Sequence, residues 1–171
     1  QPFRFPVQWV NRPNLDFRGF TGTLSGGIIK AGERIRVQPS GRESTVARIV
    51  TADGDLEQAV AGQSATLTLA DEIDISRGDI ISTTAAPAGV ADQFEATIVW
   101  MADEAMLPGR RYLLKIGTQT VNAEIGHLKH KVNVNTLEHL AATRLELNEI
   151  GVCNISLDKP IAFDPYKENR D

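Results

Sequence analysis

Cysteine is almost missing from this chain. Cys153 stands alone, so no internal disulfide can form, which fits a reducing cytoplasm. It lies in the apolar run GVCNISL and is expected to be a buried, inert thiol rather than a nucleophile. No stretch approaches the ~20 apolar residues of a membrane span, no signal-peptide pattern is present, and a membrane partner is not expected. No glycine is followed by lysine, which excludes GxxxxGK[ST], the loop whose amides cradle phosphates. GxGxxG, GxSxG and HExxH are also missing. No catalytic, cofactor-binding or metal-binding residue is therefore expected in the chain itself. His127 and His130 are three apart, a spacing that places them on opposite faces of a strand and makes a poor zinc site. Asp71, Glu72 and Asp74 lack the glycine-turned loop of a calcium site and read as a solvated acidic turn. Arg77-Gly78-Asp79 reads as a turn ahead of a strand.

The formal net charge is -4, unevenly spread. Arg4, Arg12, Arg18, Lys30, Arg34, Arg36, Arg42 and Arg48 are opposed only by Asp16, Glu33 and Glu43. That early basic segment could meet phosphate or an acidic protein surface. Arg34, Arg36 and Arg48 fall on polar alternation positions, however, and a solvated strand face explains them better. From Ile49 to Thr84 the balance reverses, with Arg77 the single cation.

Period-two alternation dominates what is present. Ile35 and Val37 share a face, as do Ala65, Leu67 and Leu69. The same holds for Phe94, Ala96, Ile98 and Trp100, for Val121, Ala123 and Ile125, and for Leu145 and Leu147. Ile28 to Glu33 reads as a hairpin turned at Ala31-Gly32, and glycines punctuate the first half at strand-length spacing. Helical signal is confined to NTLEHLAA (residues 135–142), which would leave His139 exposed on a short helical turn. The small-residue stretch around Pro87 and Gly89 divides the chain into a first domain at 1–84, a linker at 85–92 and a second domain at 93–171. Two all-β halves of this size must each close to avoid open edges, so the fold class is all-β, two small β-barrels in tandem, with one larger sandwich as the alternative. The opening on Gln1, without Met and inside the strand-like run FRFPVQWV, leads us to expect a piece of a longer protein.

Three strings in the first half, GFTGTLSGGIIKAGERIRVQPSG (19–41), AGQSATL (61–67) and ISRGDII (75–81), resemble domain two of the elongation factor Tu-type GTPases. FEATIVW and LPGRRYLLKIG in the second half resemble domain three of the same superfamily. VQWVNRPNLDFRGFTGT (7–23), RLELNEIGV (144–152) and DKPIAFDPYKENRD (158–171) are similar to the GTPase subunit of bacterial sulfate adenylyltransferase. The resemblance covers essentially the whole chain. It implies an N-terminal domain that binds GTP and magnesium, and a small catalytic partner subunit. Together they would make adenosine 5'-phosphosulfate and pyrophosphate from ATP and sulfate, driven by GTP hydrolysis in the cytoplasm. In some members an adenylylsulfate kinase domain is fused on. The family pattern runs on past Asn169–Asp171, so the second barrel is expected to be incomplete at its C-terminus.

The barrels would then dock and couple domains. VNRPNLD has no alternation and carries Pro13, and is expected to be a loop whose neighbours Trp9, Asn11, Arg12, Asn14, Asp16 and Arg18 meet a partner. A structural loop capped by its own Asn and Asp is the competing reading. Arg110 and Arg111, at the start of a strand, and Asn148 and Glu149, in a turn, are further interface candidates. The alternative function is the RNA-binding barrel pair of a translation factor, and a scaffold barrel without partner chemistry is a third. Nucleic acid is not expected as a partner, because the second half also carries more acid than base.

Overall fold

A computed structural model describes residues 1–14, 17–116, 119–133 and 135–163. Strand is the only regular structure among them, in two compact units. The bulk of the first is Gln1–Val90; Ala91–Ile116 and Thr120–Pro160 make the second.

The first unit contains β1 (Arg4–Asn14), β2 (Phe17–Thr23), β3 (Ile28–Lys30), β4 (Arg34–Gln38), β5 (Arg42–Thr51), β6 (Gly54–Leu56), β7 (Gln58–Val60), β8 (Ser64–Leu69) and β9 (Ile80–Thr83). Six of them form the path β4-β9-β1-β2-β8-β5, and β5 pairs back onto β4 to close a barrel. β6 extends β5, and β3 with β7 forms a separate two-stranded ribbon. Alternation decides what fills the barrel: Phe5, Val7, Phe20, Ile35, Val37, Ile49, Leu67 and Ile81 are fully or almost fully buried. Each large aliphatic or aromatic side chain so buried contributes about 1.5–3 kcal/mol. β1 and β2 approach closely at Val7↔Gly22, where a Cβ on Gly22 would lie 2.4 Å from the Pro6 carbonyl oxygen.

Two expectations are corrected here. Ile28 to Glu33 does turn at Ala31-Gly32, where the Glu33 amide donates to the Lys30 carbonyl. Its arms nevertheless do not pair: β3 joins β7 and β4 joins β5 and β9, so it is not a hairpin. VNRPNLD is also not a loop as far as Asn14. β1 runs through it, with a register shift between Asn11 and Asn14 where Pro13 has no N–H to give the ladder. Arg77-Gly78-Asp79 is a turn, with the Asp79 amide donating to Ser76 and the Ser76 amide to the Asp79 carboxylate.

Much of the early basic excess is matched within this barrel. Arg36 and Arg34 flank Glu43, with Arg36 Nη2 2.6 Å from its carboxylate, and Arg48 grips Asp55 through two hydrogen bonds of 2.7 and 2.9 Å. Arg4 is 6% exposed, and its guanidinium donates to the carbonyls of Phe3, Ala86 and Pro87. The Ala88 amide donates to the buried Ser82 hydroxyl. The 85–92 stretch, expected as a linker, is thus held by the first unit through Ala88, and from Gly89 onward it is strand.

The second unit contains most of β10 (Gly89–Val99), β12 (Gln119–Val132) and β14 (Ile150–Phe163), and all of β11 (Arg111–Ile116) and β13 (His139–Leu140). Their order is β10-β14-β12-β11, with β13 beside β12, and no pairing closes the path among the described residues. Met106, Val121, Ala123, Ile125, Leu128, Leu145, Cys153, Ile155 and Leu157 are buried. Phe94, Ala96, Ile98 and Trp100 share the less exposed face of β10 as expected.

Three further corrections belong to this unit. Residues 135–142 are not helical. The Asn133 side-chain oxygen accepts from the Asn135 and Thr136 amides, Leu137 takes a positive φ of 60°, and β13 follows. The RLELN run is not a regular strand: Leu145 makes a single bridge to Met106, and Leu147 is exposed. His127 and His130 do not lie on opposite faces. Register shifts put them opposite Asn154 and Val152, two residues apart on β14, so the extra residue at Lys129 restores them to one face. His130 instead stacks on the exposed His139 at 3.8 Å.

Arg4→Met is expected to cost about 3 kcal/mol by leaving several carbonyls without a donor. Denaturant unfolding should show the loss, and limited proteolysis should show new cleavage between residues 84 and 90.

Candidate docking face

On β1, β2, β8 and β5 the register aligns an outward face. Val10 opposes Phe20, both turned toward the core, so Trp9 and Asn11 turn outward beside Thr21 and Gly19. β8 places Thr66 beside Thr21 and Thr68 beside Gly19, and β5 adds Val50 and Arg48. Two rows result: Trp9–Thr21–Thr66–Val50 and Asn11–Gly19–Thr68–Arg48. Trp9 is 59% exposed. Hydroxyl pairs lock the rows, Thr21 to Thr66 and Thr23 to Ser64, each at 2.8 Å. The one cation in the rows, Arg48, is neutralised by Asp55, whose carboxyl the guanidinium holds below its usual range, chiefly by direct hydrogen bonding. The rows therefore carry one charge pair and no unpaired cation, with an exposed indole at one end.

The sequence candidates separate into kinds. Trp9 and Asn11 belong to this face, and Arg12 is exposed beside them on the same strand. The Asn14 side chain accepts from the Phe17 amide at 2.9 Å, a turn-capping role. Asp16 lies outside the described residues. Arg18 turns to the other side of β2, with its guanidinium 5.6 Å over the Phe20 ring. In the second unit Arg110 and Arg111 are both exposed, and Arg111 borders a shallow cavity of about 190 Å3 with Asn122 and Asp158. Asn148 has a φ of 65° inside a turn closed by the Glu149 amide and the Glu146 carbonyl. Glu149 binds Lys131 at 2.6 Å and accepts from the Glu146 amide, and these contacts hold its carboxyl below the usual range. Its role is to fasten that turn.

Thr21, Thr66, Thr68 and Val50 were not foreseen as part of a candidate face. The alternation of SATLTLA does put Thr66 and Thr68 on the outward side, but only the four-strand register brings them to Trp9. Cys153 is fully buried, and burial raises its thiol above the usual range, so it has no reactive role. Among the described residues no group of three or more His, Cys, Asp or Glu side chains could hold a metal ion.

Relatives of known name match throughout the chain. It is 53% identical over 170 residues to sulfate adenylyltransferase subunit 1 of Aeromonas salmonicida, covering 99% of this chain and 36% of that protein. It is 56% identical over 165 residues to the bifunctional enzyme CysN/CysC of Xylella fastidiosa, covering 96% of this chain and 26% of that protein. The bifunctional enzyme NodQ of Azospirillum brasilense is 53% identical over 169 residues, covering 99% of this chain and 27% of that protein. The chain belongs to the sulfate adenylyltransferase subunit 1 family. It spans between about a quarter and just over a third of the length of these relatives. Residues 20–82 match the family model for elongation factor Tu domain 2, and residues 93–171 match that for the GTP-eEF1A C-terminal domain-like family. Solved structures agree on the fold. Sup35 complexed with GDP superposes with a TM-score of 0.89 at 18% identity, covering 98% of this chain and 42% of that one. Elongation factor SelB of Methanococcus maripaludis in apo form superposes with a TM-score of 0.74 at 20% identity, covering 96% and 37%.

Two outcomes test this geometry. A Cβ on Gly19 would lie 2.3 Å from Thr66 Cγ2, so Gly19→Ala should displace Thr66 from Thr21 and cost about 1–3 kcal/mol in urea unfolding. Glu149 has its pKa lowered by folding, so its contribution is present above its ordinary value of 4.5 and is lost as pH falls through the lower folded value. Glu149→Gln should flatten the acid limb of the stability-pH curve measured below pH 4.5, and an unchanged limb would remove Glu149 from this role.

Proposed function

We propose that this chain is the barrel module of a GTP-dependent sulfate adenylyltransferase. With a catalytic partner subunit the whole enzyme would convert ATP and sulfate to adenosine 5'-phosphosulfate and pyrophosphate, driven by GTP hydrolysis. The observation that carries this reading is 53% identity to a subunit 1 across 99% of the chain. The residues present do not fit a nucleotide or its magnesium: no glycine-lysine pair supplies a phosphate loop, and no carboxylate cluster among the described residues suits a metal. GTP would be held by an N-terminal domain of the longer protein. The two units, divided near Val90, would link that domain to the catalytic subunit, with the Trp9 face as the contact surface. An adenylylsulfate kinase domain would be fused on in the bifunctional form, consistent with the CysN/CysC relative. The translation-factor alternative is less supported: the structural likeness, at 16–20% identity, shows the fold alone, and each of the two domain-family matches covers less than half of the chain.

Trp9→Ala and Arg12→Ala, placed in the full-length two-subunit enzyme, should each lower GTP-stimulated adenylylsulfate formation by roughly five- to tenfold, the size of an interface anchor. The thermal melt should move by less than about 2 °C, because both side chains are exposed. A large fall in melting temperature would make these residues structural instead.

A further inference from the structure

The β3–β7 ribbon departs from the alternation of the barrel strands. Ile28 and Ile29 on β3, and Ala59 and Val60 on β7, are apolar at consecutive positions. The register sets Ile29 opposite Ala59, both fully buried in the barrel core, and Ile28 opposite Val60 on the other face. Ile28 is 51% exposed and Val60 38%. Directly opposed side chains stand about 4.5–5.5 Å apart at Cβ, so these two form one apolar step. A strand pair that is apolar on both faces has the pattern of one covered on both faces. Side chains close its edges: the Glu33 carboxylate accepts from the Lys30 amide at 3.1 Å, and the Gln63 side-chain oxygen from the Val60 amide at 2.8 Å. An occupant therefore meets Ile28 and Val60 by their side chains and does not add a strand.

Place and size together select that occupant. The Arg4 amide donates to the Gly26 carbonyl at 3.1 Å, the Ser25 amide to the Arg4 carbonyl at 3.0 Å, and the Ala61 amide to the Gly27 carbonyl at 3.0 Å. Gly27 takes a φ of 69°, and a Cβ there would lie 2.4 Å from the Phe3 nitrogen. A Cβ on Gly26 would lie 2.9 Å from the Pro2 carbonyl oxygen and 3.8 Å from the Gln1 Cβ. The first residues are thus laced to the base of the ribbon, with Gln1 beside Gly26, two positions before Ile28. Two extended residues span about 7 Å, so a segment entering at Gln1 reaches Ile28 within a few residues. Two partly exposed aliphatic side chains offer far less than the ~800 Å2 that each partner of a stable complex buries, too little to hold a free subunit. A segment tethered at Gln1 has a high effective concentration at the ribbon and needs little contact area to stay there.

We propose that the Ile28–Val60 face is covered by the segment of the longer protein that immediately precedes Gln1, which lays an apolar side chain across it. The contact would fix how the preceding domain enters the first barrel. The assignment rests on the functional reading in placing a segment of the longer protein ahead of Gln1. The test uses the full-length subunit without its catalytic partner. Ile28→Cys and Val60→Cys should each react with a maleimide at least about tenfold more slowly than Asp53→Cys, in an exposed turn, the protection given by an uncovered state populated at ~10% or less. Rates are read site by site by mass spectrometry. Adding the catalytic subunit should leave the ratio unchanged. Equal rates, or protection that appears only with the catalytic subunit, would overturn the proposal. Ile28→p-benzoylphenylalanine should, on irradiation, crosslink to residues just ahead of Gln1 in the same polypeptide; crosslinks only to another molecule or to other parts of the chain overturn it. Hydroxyl-radical footprinting of the wild-type subunit needs no variant. Ile28 and Val60 should be oxidised well below the rate set by their intrinsic reactivity and the exposures above, and oxidation at that rate overturns the proposal. GTP binding by the same protein is measured separately: its absence would overturn the functional reading, while labelling and crosslinking still decide the contact.

Discussion

Between β4 and β5 four residue pairs, from Arg34↔Thr45 to Val37↔Arg42, join the two ends of a six-strand path. A closed ring has no free edge, and it gives every strand an inside and an outside. Once the ring closes, parity assigns Ile35, Val37, Ile49 and Leu67 to the core and sends Arg34, Arg36 and Arg48 outward. The same parity delivers Trp9, Thr21, Thr66 and Val50 to one surface. Slipping one strand by one residue would exchange these sets, so core stability and the docking face are fixed by one constraint.

That constraint explains what the sequence could and could not tell. Alternation is local, and it was readable in ERIRV, SATLTLA, QFEATIVW and TVNAEI, all of which lie as expected. Most of the failures occur where something breaks parity or replaces a ladder partner. Pro13 removes a donor and shifts the β1 register without ending the strand. The extra residue at Lys129 brings His127 and His130 to one face. Asn133 captures two amides that a helix would have needed, and a turn replaces the helix at 135–142. Leu145 and Leu147 alternate in the sequence, but only Leu145 finds a partner, because the turn at Asn148 diverts the chain.

The site was legible in part for the same reason. Trp9 and Arg12 stood out as residue types that anchor interfaces, and both are exposed. Asn14 and, as a weaker candidate, Glu149 were named with them, yet both are occupied in holding turns, which a sequence cannot distinguish from waiting for a partner. Arg18 was grouped with Trp9 by proximity in the chain, but the register pairs Asn11 with Gly19 and Val10 with Phe20, which sends Arg18 to the other side of β2. The threonines were invisible as a site because a hydroxyl on a strand has no signature until the neighbouring strand is known.

The contrast between identity and fold bears on function. Sup35 and elongation factor SelB share this backbone at 16–20% identity, whereas subunit 1 relatives share half the residues. A barrel that tolerates such divergence specifies function through its outward side chains, not its core. RNA binding of the translation-factor kind would draw on unpaired Lys and Arg across the exposed face, because phosphate neutralisation supplies most of the affinity. Here four of the eight cations of the early basic segment are turned to other tasks: Arg4 is buried against carbonyls, Arg34 and Arg36 share Glu43, and Arg48 is gripped by Asp55. The rows that remain combine an indole, hydroxyls and the Arg48–Asp55 pair, with Arg12 exposed beside them. Such a surface gains more from shape and from directional hydrogen bonds than from neutralising phosphate, which is why we propose it as a protein-docking face.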